Sequence, residues 1–231
     1  TINVDNVTLD LMGFSIIGPG KSNGSGKGIY MNGRDNVTIR NGTVRAFGDH
    51  GILDESQGTG STSHTVMYVK VLDNGASGIQ MYGSKHHVIQ CKAANNSGHG
   101  IYVLTGSIVK DCISEGNGFD GIHAGNGSTV SDCTSRSNSS SGIYAREGST
   151  VIDNVSRDNT QYGIYAYNYS TVTGNTVKGN DMSGLWLEVG VTATGNTVGS
   201  NNEADLMVAG TYRDAGIRVG WGSIVKGNTL Y

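Results

Sequence analysis

The feature that most constrains this chain is a repeat of 21 residues in its central part. A glycine followed by isoleucine or leucine recurs at this spacing at Gly100, Gly121, Gly142, Gly163 and Gly184. The same dipeptide stands at Gly28, Gly51, Gly78 and Gly216, where unequal spacings indicate insertions. A fixed period of this length is typical of solenoids, in which each unit packs only against its neighbours.

Two further columns keep the same period. One is asparagine throughout: Asn96, Asn117, Asn138, Asn159, Asn180 and Asn201. The other changes from cysteine to asparagine: Cys91, Cys112, Cys133, Asn154, Asn175 and Asn196. Stacked amides both donate and accept hydrogen bonds, so we expect a ladder that satisfies the backbone of buried turns. We expect the cysteines to form a buried column. A disulfide between neighbouring coils is possible by distance, but in-register side chains point the same way, and the spacing fits no metal site.

The composition favours strands over helices. Valine and isoleucine together number 38 against 9 leucines, and β-branched residues are enriched in strands. Helical repeats also have longer periods than 21 residues. We therefore predict an all-β solenoid, a parallel β-helix that forms a single domain over residues 1–231. It would have about ten coils of ~21 residues, with three short strands in each coil.

The coil at 121–141 illustrates the prediction. Its strands are expected near 121–124, 128–131 and 133–136, with Ile122 and Ala124 inward and His123 outward, because side chains alternate along a strand. Insertions are expected near 56–64 and 207–215. Loops that project from a solenoid can line a groove, and the first insertion would bring Asp54, Glu55 and His64 to it as polar groups.

The opening segments carry a family resemblance. Residues 6–18, NVTLDLMGFSIIG, and residues 36–44, NVTIRNGTV, resemble the first coils of right-handed parallel β-helix proteins of the pectate-lyase-like superfamily. The resemblance implies a right-handed solenoid and an extracellular or periplasmic location. It leaves the activity unassigned, because that superfamily includes polysaccharide lyases, glycoside hydrolases, uronan epimerases and phage tailspikes.

One outward column is rich in aromatic residues. The residue after each Gly-Ile or Gly-Leu pair is in turn Tyr30, Leu53, Gln80, Tyr102, His123, Tyr144, Tyr165, Trp186 and Arg218. Two residues further on, a second outward column includes Tyr82, Arg146, Tyr167 and Glu188. Flat rings in a row suit a linear polysaccharide, so we predict a polysaccharide partner. The alternative is that stacked aromatic residues only stabilise the sheet.

The same face offers groups for proton abstraction beside a sugar carboxylate. A lyase or epimerase of acidic glycans needs a base and a group that neutralises the carboxylate. We assign His123 as the base, Tyr102 or Tyr144 as the proton donor and Arg146 as the neutralising group. The predicted substrate-binding residues are Tyr82, Tyr165, Tyr167, Trp186 and Arg218, with Tyr165 and Trp186 as stacking platforms. Glu188 would repel a uronate there.

Two short motifs give partial resemblances. Residues 117–123, NGFDGIH, are partly similar to the Tyr-Gly-Phe-Asp-Pro-His motif of alginate epimerases. Two residues separate Asp120 from His123, which changes their relative facing, so the motif's roles are not transferred. Gly98-His99-Gly100 resembles a motif of polygalacturonases, but the upstream carboxylates of those enzymes are missing here. His99 is therefore predicted to be a turn residue.

Charge and composition exclude other partners. The net charge is −3 and the basic residues are scattered, so we expect neither nucleic acid nor a membrane as partner. We predict no metal or other cofactor; turn residues such as Asp73 and Asn74 could bind Ca²⁺, but no calcium motif supports it. A non-catalytic structural or adhesive β-helix and a glycoside hydrolase remain open as alternative functions, and the oligomeric state is open as well.

Overall fold

The structure, a computed structural model, describes residues 1–55, 62–201 and 216–231. These residues form strands, turns and bends, with no helix among them. Accordingly, no helix in the described ranges is long and apolar enough to cross a membrane. The parts of the predicted insertions at 56–61 and 207–215 lie outside the described residues.

The strands of the described chain form two sheets in which neighbouring strands are parallel. The nine-stranded sheet contains β3 (Ile29–Met31), β5 (Ile52–Asp54), β7 (Ile79–Met81), β10 (Ile101–Val103), β13 (Ile122–Ala124), β16 (Ile143–Ala145), β19 (Ile164–Ala166), β22 (Leu185–Leu187) and β25 (Ile217–Val219).

The eighteen-stranded sheet contains the other two strands of most coils, which in two coils are joined into one strand of eight residues. They are β1 (Thr8–Asp10), β2 (Ser15–Ile17), β4 (Thr38–Arg45), β6 (Thr65–Leu72), β8 (His87–Ile89), β9 (Lys92–Ala94), β11 (Ile108–Lys110), β12 (Ile113–Glu115), β14 (Thr129–Ser131), β15 (Thr134–Arg136), β17 (Thr150–Ile152), β18 (Val155–Arg157), β20 (Thr171–Thr173), β21 (Thr176–Lys178), β23 (Thr192–Thr194), β24 (Thr197–Gly199), β26 (Ile224–Lys226) and β27 (Thr229–Leu230).

The register between coils confirms that the sequence repeat is a physical stack. Ile122 pairs with Ile101 on one side and Ile143 on the other, each 21 residues away. The three predicted strands per coil are confirmed in most coils, whereas in two coils the second and third strands are continuous, as β4 and β6. In the described residues there are about nine coils rather than ten, because ahead of β3 the first turn has a single bridge, from Ile2 to Met31, in place of a strand of the nine-stranded sheet.

The core lies inside the coils and consists of the inward side chains. Ile122 and Ala124 are fully buried while His123 between them is partly exposed, as the alternation predicts. The glycine before each isoleucine is fixed by close packing. A Cβ on Gly121 would lie 2.0 Å from Ser135 Oγ and 2.5 Å from Asn138 Nδ2, so any larger residue would collide with the last part of its own coil.

The asparagine ladder is present and buried. Asn159 Oδ1 accepts hydrogen bonds from the backbone N–H of Asn138 at 3.1 Å and from its Nδ2 at 3.0 Å. Asn159 Nδ2 in turn donates to Asn180 Oδ1 at 2.9 Å. Each rung therefore satisfies a backbone donor at a bend, where no strand partner could do so.

The second ladder joins the cysteines to the asparagines. Cys133 N–H donates to Asn154 Oδ1 at 2.9 Å, whereas Cys112 N–H reaches Cys133 Sγ at 3.4 Å. All three cysteines are free and buried, as predicted. The residue before each rung, for example Asp132 or Gly174, has a positive φ of 56° or 70°. That conformation explains the aspartate and glycine found at most of these bends.

Two of the three polar groups predicted at the first insertion do not reach the outer face. Asp54 and His64 are both fully buried, so the prediction is wrong for these two residues. Glu55 is partly exposed and accepts a hydrogen bond from Tyr30 Oη at 3.2 Å. His64 Nδ1 accepts the backbone N–H of Val37 at 3.1 Å, and His64 Nε2 lies 3.7 Å from Asp54 Oδ2. His64 therefore serves as a turn acceptor, as Ser107 and Ser128 do in later coils.

Candidate functional site

The predicted aromatic column forms one continuous row on the outer face of the nine-stranded sheet. We call it the aromatic row; its rings belong to Tyr82, Tyr102, His123, Tyr144, Tyr165 and Trp186. Successive ring centroids lie 5.9, 4.7, 4.6, 4.9 and 5.7 Å apart. Because in-register strands place equivalent residues one coil apart, the row from Tyr102 to Trp186 follows directly from strand pairing. Tyr82 belongs to the second outward column, two residues after Gln80, which is the strand partner of Tyr102. Leu53 is an exception in this column, since it is buried between Tyr30 and Gln80.

In the middle of the row the rings cover each other's faces. The His123 ring is stacked between Tyr102, at an interplanar angle of 23°, and Tyr144, at 11°. These rings therefore present edges and polar atoms outward, and their inner faces are not open to a sugar ring. This arrangement suits the roles of base and proton donor that the sequence suggests for these three residues, and it also agrees with the alternative in which stacked aromatic residues stabilise the sheet.

A cluster of three ionisable residues lies beside the aromatic row. Asp120 Oδ2 is 3.1 Å from His123 Nδ1 and 3.5 Å from His99 Nδ1. Asp120 and His123 therefore face each other, although two residues separate them in the sequence. His99 is more than a turn residue, since its ring also lies 5.3 Å from that of His123.

The carboxylate of Asp120 is held firmly. Ser140 Oγ donates to Asp120 Oδ1 at 2.7 Å, and the backbone N–H of Ser141 donates to the same oxygen at 3.2 Å. Burial by itself raises the pKa of Asp120, but the hydrogen bonds from His123 and Ser140 outweigh it and lower the pKa. Asp120 is thus a carboxylate at neutral pH. Burial lowers the pKa of His99.

Arg146 and the two tyrosines complete the middle of the site. Burial raises the pKa of both Tyr102 and Tyr144, although the positive charge of Arg146 opposes that rise. Both hydroxyls therefore stay protonated at neutral pH and can donate. Arg146 itself is exposed, one coil beyond His123 and two positions along the strand.

At the far end of the row, polar contacts occupy the predicted platforms. Tyr165 Oη donates to Glu188 Oε1 at 2.7 Å, and Trp186 Nε1 donates to the same oxygen at 3.0 Å. The Arg218 guanidinium lies 3.6 Å from the centroid of the Trp186 ring, so it covers that ring. Tyr167 is exposed, 6.0 Å from Tyr165 between ring centroids. These residues form one connected group.

A shallow pocket adjoins the cluster on the side of the earlier coils. It has a volume of about 370 Å³, and its lining includes His50, Gln80, His99 and Phe119. Gln80 Nε2 donates to Tyr82 Oη at 2.7 Å, and His50 Nε2 lies 3.0 Å from Gln80 Oε1. No pattern in the sequence indicates this pocket, because its lining comes from four successive turns and from Gln80 in β7.

The fold and the face together define a parallel β-helix protein with a polar and aromatic groove on one sheet. The sequence model of the family described as "Right handed beta helix region" matches residues 57–203, more than half of the chain. The chain belongs to this family, which confirms the right-handed fold and the resemblance found in the sequence. A search of curated proteins found no match.

Solved structures with the same fold act on polysaccharides, according to their descriptions. The A-module of a mannuronan C-5 epimerase from Azotobacter vinelandii has a TM-score of 0.61 and 16% identity, over 88% of this chain and 72% of that chain. A mutant of a periplasmic alginate epimerase has a TM-score of 0.66 and 13% identity, over 97% of this chain and 58% of that chain. A pectate lyase has a TM-score of 0.64 and 14% identity, over 96% and 69%.

These structures limit what can be transferred. The chain spans little more than half the length of the periplasmic epimerase. At identities of 13–16% the likeness shows the fold alone. The roles of individual residues must therefore be argued from the geometry of this chain.

Proposed function

We propose that the outer face of the nine-stranded sheet binds an extended acidic polysaccharide and that His123 abstracts a proton next to a sugar carboxylate. The reaction is a β-elimination or an epimerisation of a uronate residue. The observation that carries this proposal is the Asp120–His123 pair, with Nδ1 and Oδ2 3.1 Å apart, set in a row of aromatic residues.

The pair prepares the imidazole as a base. A carboxylate that accepts the Nδ1 proton holds the ring in the tautomer whose Nε2 carries the lone pair. The stacking of Tyr102 and Tyr144 on both faces of His123 fixes the plane of the ring. The base is therefore pre-oriented, and orientation supplies much of the rate in proton transfer.

The neighbouring groups then stabilise the negative charge and supply a proton. The C5 proton passes to His123 Nε2, and the electron pair left on C5 spreads into the carboxylate, which Arg146 stabilises. In an elimination that pair expels the O4 substituent, and Tyr102 or Tyr144 protonates the departing oxygen. In an epimerisation the tyrosine returns a proton to C5 from the opposite face. Their raised pKa values keep both hydroxyls protonated for this step.

The spacing of the coils suits a chain-like ligand. Successive coils lie about 4.8 Å apart, so the row offers a contact for each step of an extended polymer. In this proposal Tyr82, Tyr165, Tyr167, Trp186 and Arg218 contact the polymer on both sides of His123. A partner of this kind fits a protein that works outside the cytoplasm, in the periplasm or the extracellular space.

A non-catalytic β-helix is the second candidate, and one observation favours it. The rings of Tyr102, His123 and Tyr144 stack on each other, as they would if their role were only to stabilise the sheet. A glycoside hydrolase is less well supported. Asp120 and Glu188 lie three coils apart, about 14 Å along the axis, whereas such enzymes need carboxylates within roughly 9.5 Å.

The test is incubation of the protein with a panel of acidic and neutral polysaccharides in D₂O. Deuterium at C5 detected by NMR, or new absorbance from an unsaturated uronate, would support proton abstraction and would separate epimerase from lyase. Release of reducing ends without either signal would point to a hydrolase. Binding without any turnover would support the non-catalytic candidate, and the absence of both binding and turnover would contradict the proposed function.

A further inference from the structure

We propose that His99, Asp120 and His123 form a binding site for one divalent transition-metal ion of the Zn²⁺ type, and that the bound ion switches off His123 as a base. One ligand atom from each of the three residues lies within 4.8 Å of the other two. Asp120 Oδ2 is 3.5 Å from His99 Nδ1 and 3.1 Å from His123 Nδ1. Within the described residues, this is the one group of three or more His, Cys, Asp or Glu side chains whose ligand atoms lie this close together.

The distances match a tetrahedral site. Bonds of 2.0–2.2 Å to zinc place neighbouring ligand atoms about 3.3–3.6 Å apart. The observed separations from Asp120 Oδ2 are 3.5 Å to His99 Nδ1 and 3.1 Å to His123 Nδ1. Shifts of a few tenths of an ångström would bring these two separations to the values expected around zinc. The two histidine nitrogens would also have to approach each other for all three ligands to surround one ion.

An unsatisfied atom points into the site. His99 Nδ1 is buried and has no hydrogen-bond partner, although it is only 3.5 Å from the Asp120 carboxylate. A buried polar atom without a partner is costly, and a metal bond would remove that cost. The supporting contacts are also present, since Ser140 Oγ and Ser141 N–H hold the other oxygen of Asp120.

The donor set selects the class of ion. Two imidazole nitrogens and one carboxylate suit Zn²⁺ and its neighbours, whereas Ca²⁺ and Mg²⁺ prefer sites built from oxygen. The pocket of about 370 Å³ adjoins His99, which leaves a position for water or a small ligand on the fourth side. Three protein ligands with an open fourth position are also the arrangement of many non-structural zinc sites.

The inhibition of turnover rests on the proposed function of His123 as the base. Metal binding itself does not depend on that function. A neutral imidazole has one lone pair in the ring plane. If Nδ1 gives it to the metal, the proton resides on Nε2, and that nitrogen can no longer accept a proton from the substrate. The ion also displaces the Asp120–His123 hydrogen bond. Zn²⁺ is therefore expected to inhibit turnover with a stoichiometry of one per chain.

Binding is tested without any substrate. Chelator-treated protein is titrated with Zn²⁺ by calorimetry and with Co²⁺ by visible absorption, where a four-coordinate ion gives intense bands. We expect one ion per chain for each metal, and no displacement of Zn²⁺ by excess Ca²⁺. Failure of the wild-type protein to bind Zn²⁺, or a Co²⁺ spectrum of six-coordinate type, would overturn the site.

The matched variants are His99→Phe and His87→Phe. His99→Phe keeps an aromatic ring against Tyr102 and Phe119 and removes the nitrogen ligand. His87 is exposed in β8 on the eighteen-stranded sheet, far from the cluster in the fold. We expect Zn²⁺ affinity to fall by about 100-fold in His99→Phe and to stay unchanged in His87→Phe. Equal affinity in both variants would overturn the assignment, provided that circular dichroism shows both folded.

The regulatory part uses the substrate found with the polysaccharide panel. Zn²⁺ should inhibit the wild-type protein at the concentration at which it binds, and should not inhibit His99→Phe at that concentration. Zn²⁺ bound at the cluster with undiminished turnover would overturn the switch. Zn²⁺ binding by a protein that turns over no polysaccharide would contradict the proposed function while supporting the metal site.

Discussion

The asparagine ladder and the aromatic row follow the same 21-residue period, but the ladder keeps one residue type from coil to coil and the row does not. From Asn96 to Asn201 every rung of the ladder carries the same residue and makes the same hydrogen bonds. In the row the residue changes at almost every coil. Each side chain of the ladder must accept the backbone N–H of the neighbouring rung, so its residue type is constrained. The outer face leaves each coil free to carry a different residue.

The difference separates two kinds of column. Substitution in the ladder should cost stability and leave chemistry at the groove alone. Substitution in the row should change binding or turnover and leave folding nearly intact, because outward side chains add little to the buried core. The predictions below test that division, from the largest expected effect to the smallest.

The largest effect is expected for His123→Ala in the aromatic row. Loss of a general base costs about 10²- to 10⁴-fold in rate, so turnover of the polysaccharide should fall by roughly that factor. Binding and the denaturation midpoint should change little. The matched control is His87→Ala, which removes an exposed histidine from the other sheet. Comparable losses in both variants, or a large drop in stability for His123→Ala, would remove the distinction between the row and the ladder.

The next largest effect is a loss of folding stability at acidic pH. Burial lowers the pKa of both His64 and His86 from 6.5 to about 4. Between these two pH values the unfolded chain binds more protons than the folded one, so stability is complete above pH 6.5 and falls as the pH drops towards 4. The loss amounts to at most about 3 kcal/mol per histidine. Urea unfolding from pH 7.5 to 4 measures it.

A variant sharpens the acid test. His86→Ser copies Ser107, the residue at the same place in the next coil, whose hydroxyl accepts the backbone N–H of residue 86. We expect the slope of stability against pH to fall by about half. Slopes are compared rather than absolute values, because the smaller side chain costs stability at every pH. An unchanged slope would show that other groups govern the acid response.

Asn159→Leu should cost about 1–3 kcal/mol of unfolding free energy, because it leaves the buried backbone N–H of Asn138 without its acceptor. It also removes one hydrogen bond from Asn138 Nδ2 and one to Asn180 Oδ1. Denaturant unfolding measures the change. The control is Asn126→Leu, where the asparagine is exposed in a turn. If the two variants are equally stable, the ladder is not a stabilising element. Turnover at temperatures where the variant is folded should match that of the wild type.

The smallest effect is expected for Glu188→Gln at the far end of the row. The amide can still accept the hydrogen bonds of Tyr165 and Trp186, but the negative charge that opposes an acidic ligand is gone. Affinity should rise about two- to fivefold at low salt and less at high salt. Glu115→Gln makes the same charge change on the eighteen-stranded sheet and should not alter affinity. Weaker binding by Glu188→Gln would mean that the carboxylate contacts the ligand directly.

Much of the fold could be predicted from the sequence, and less of the site. The 21-residue columns give the stacking, the inward Ile122 and Ala124, and the buried ladder, because strand pairing requires equivalent residues to lie over each other. The outward position of His123 follows from the same alternation. The count of coils was too high by about one, since a turn at the start of the chain has only a bridge where a full strand was expected.

The sequence by itself determined which residues share a column, while the tertiary structure alone decided how neighbouring columns meet. The contact of Asp120 with His123 and His99 depends on the path of a turn, which no spacing encodes. The stacking of Tyr102 and Tyr144 on His123, and the cover of Trp186 by Arg218, depend on side-chain torsions that packing selects. A repeat fixes the translation from coil to coil, but the chemistry of this groove arises from contacts between positions that the repeat leaves independent.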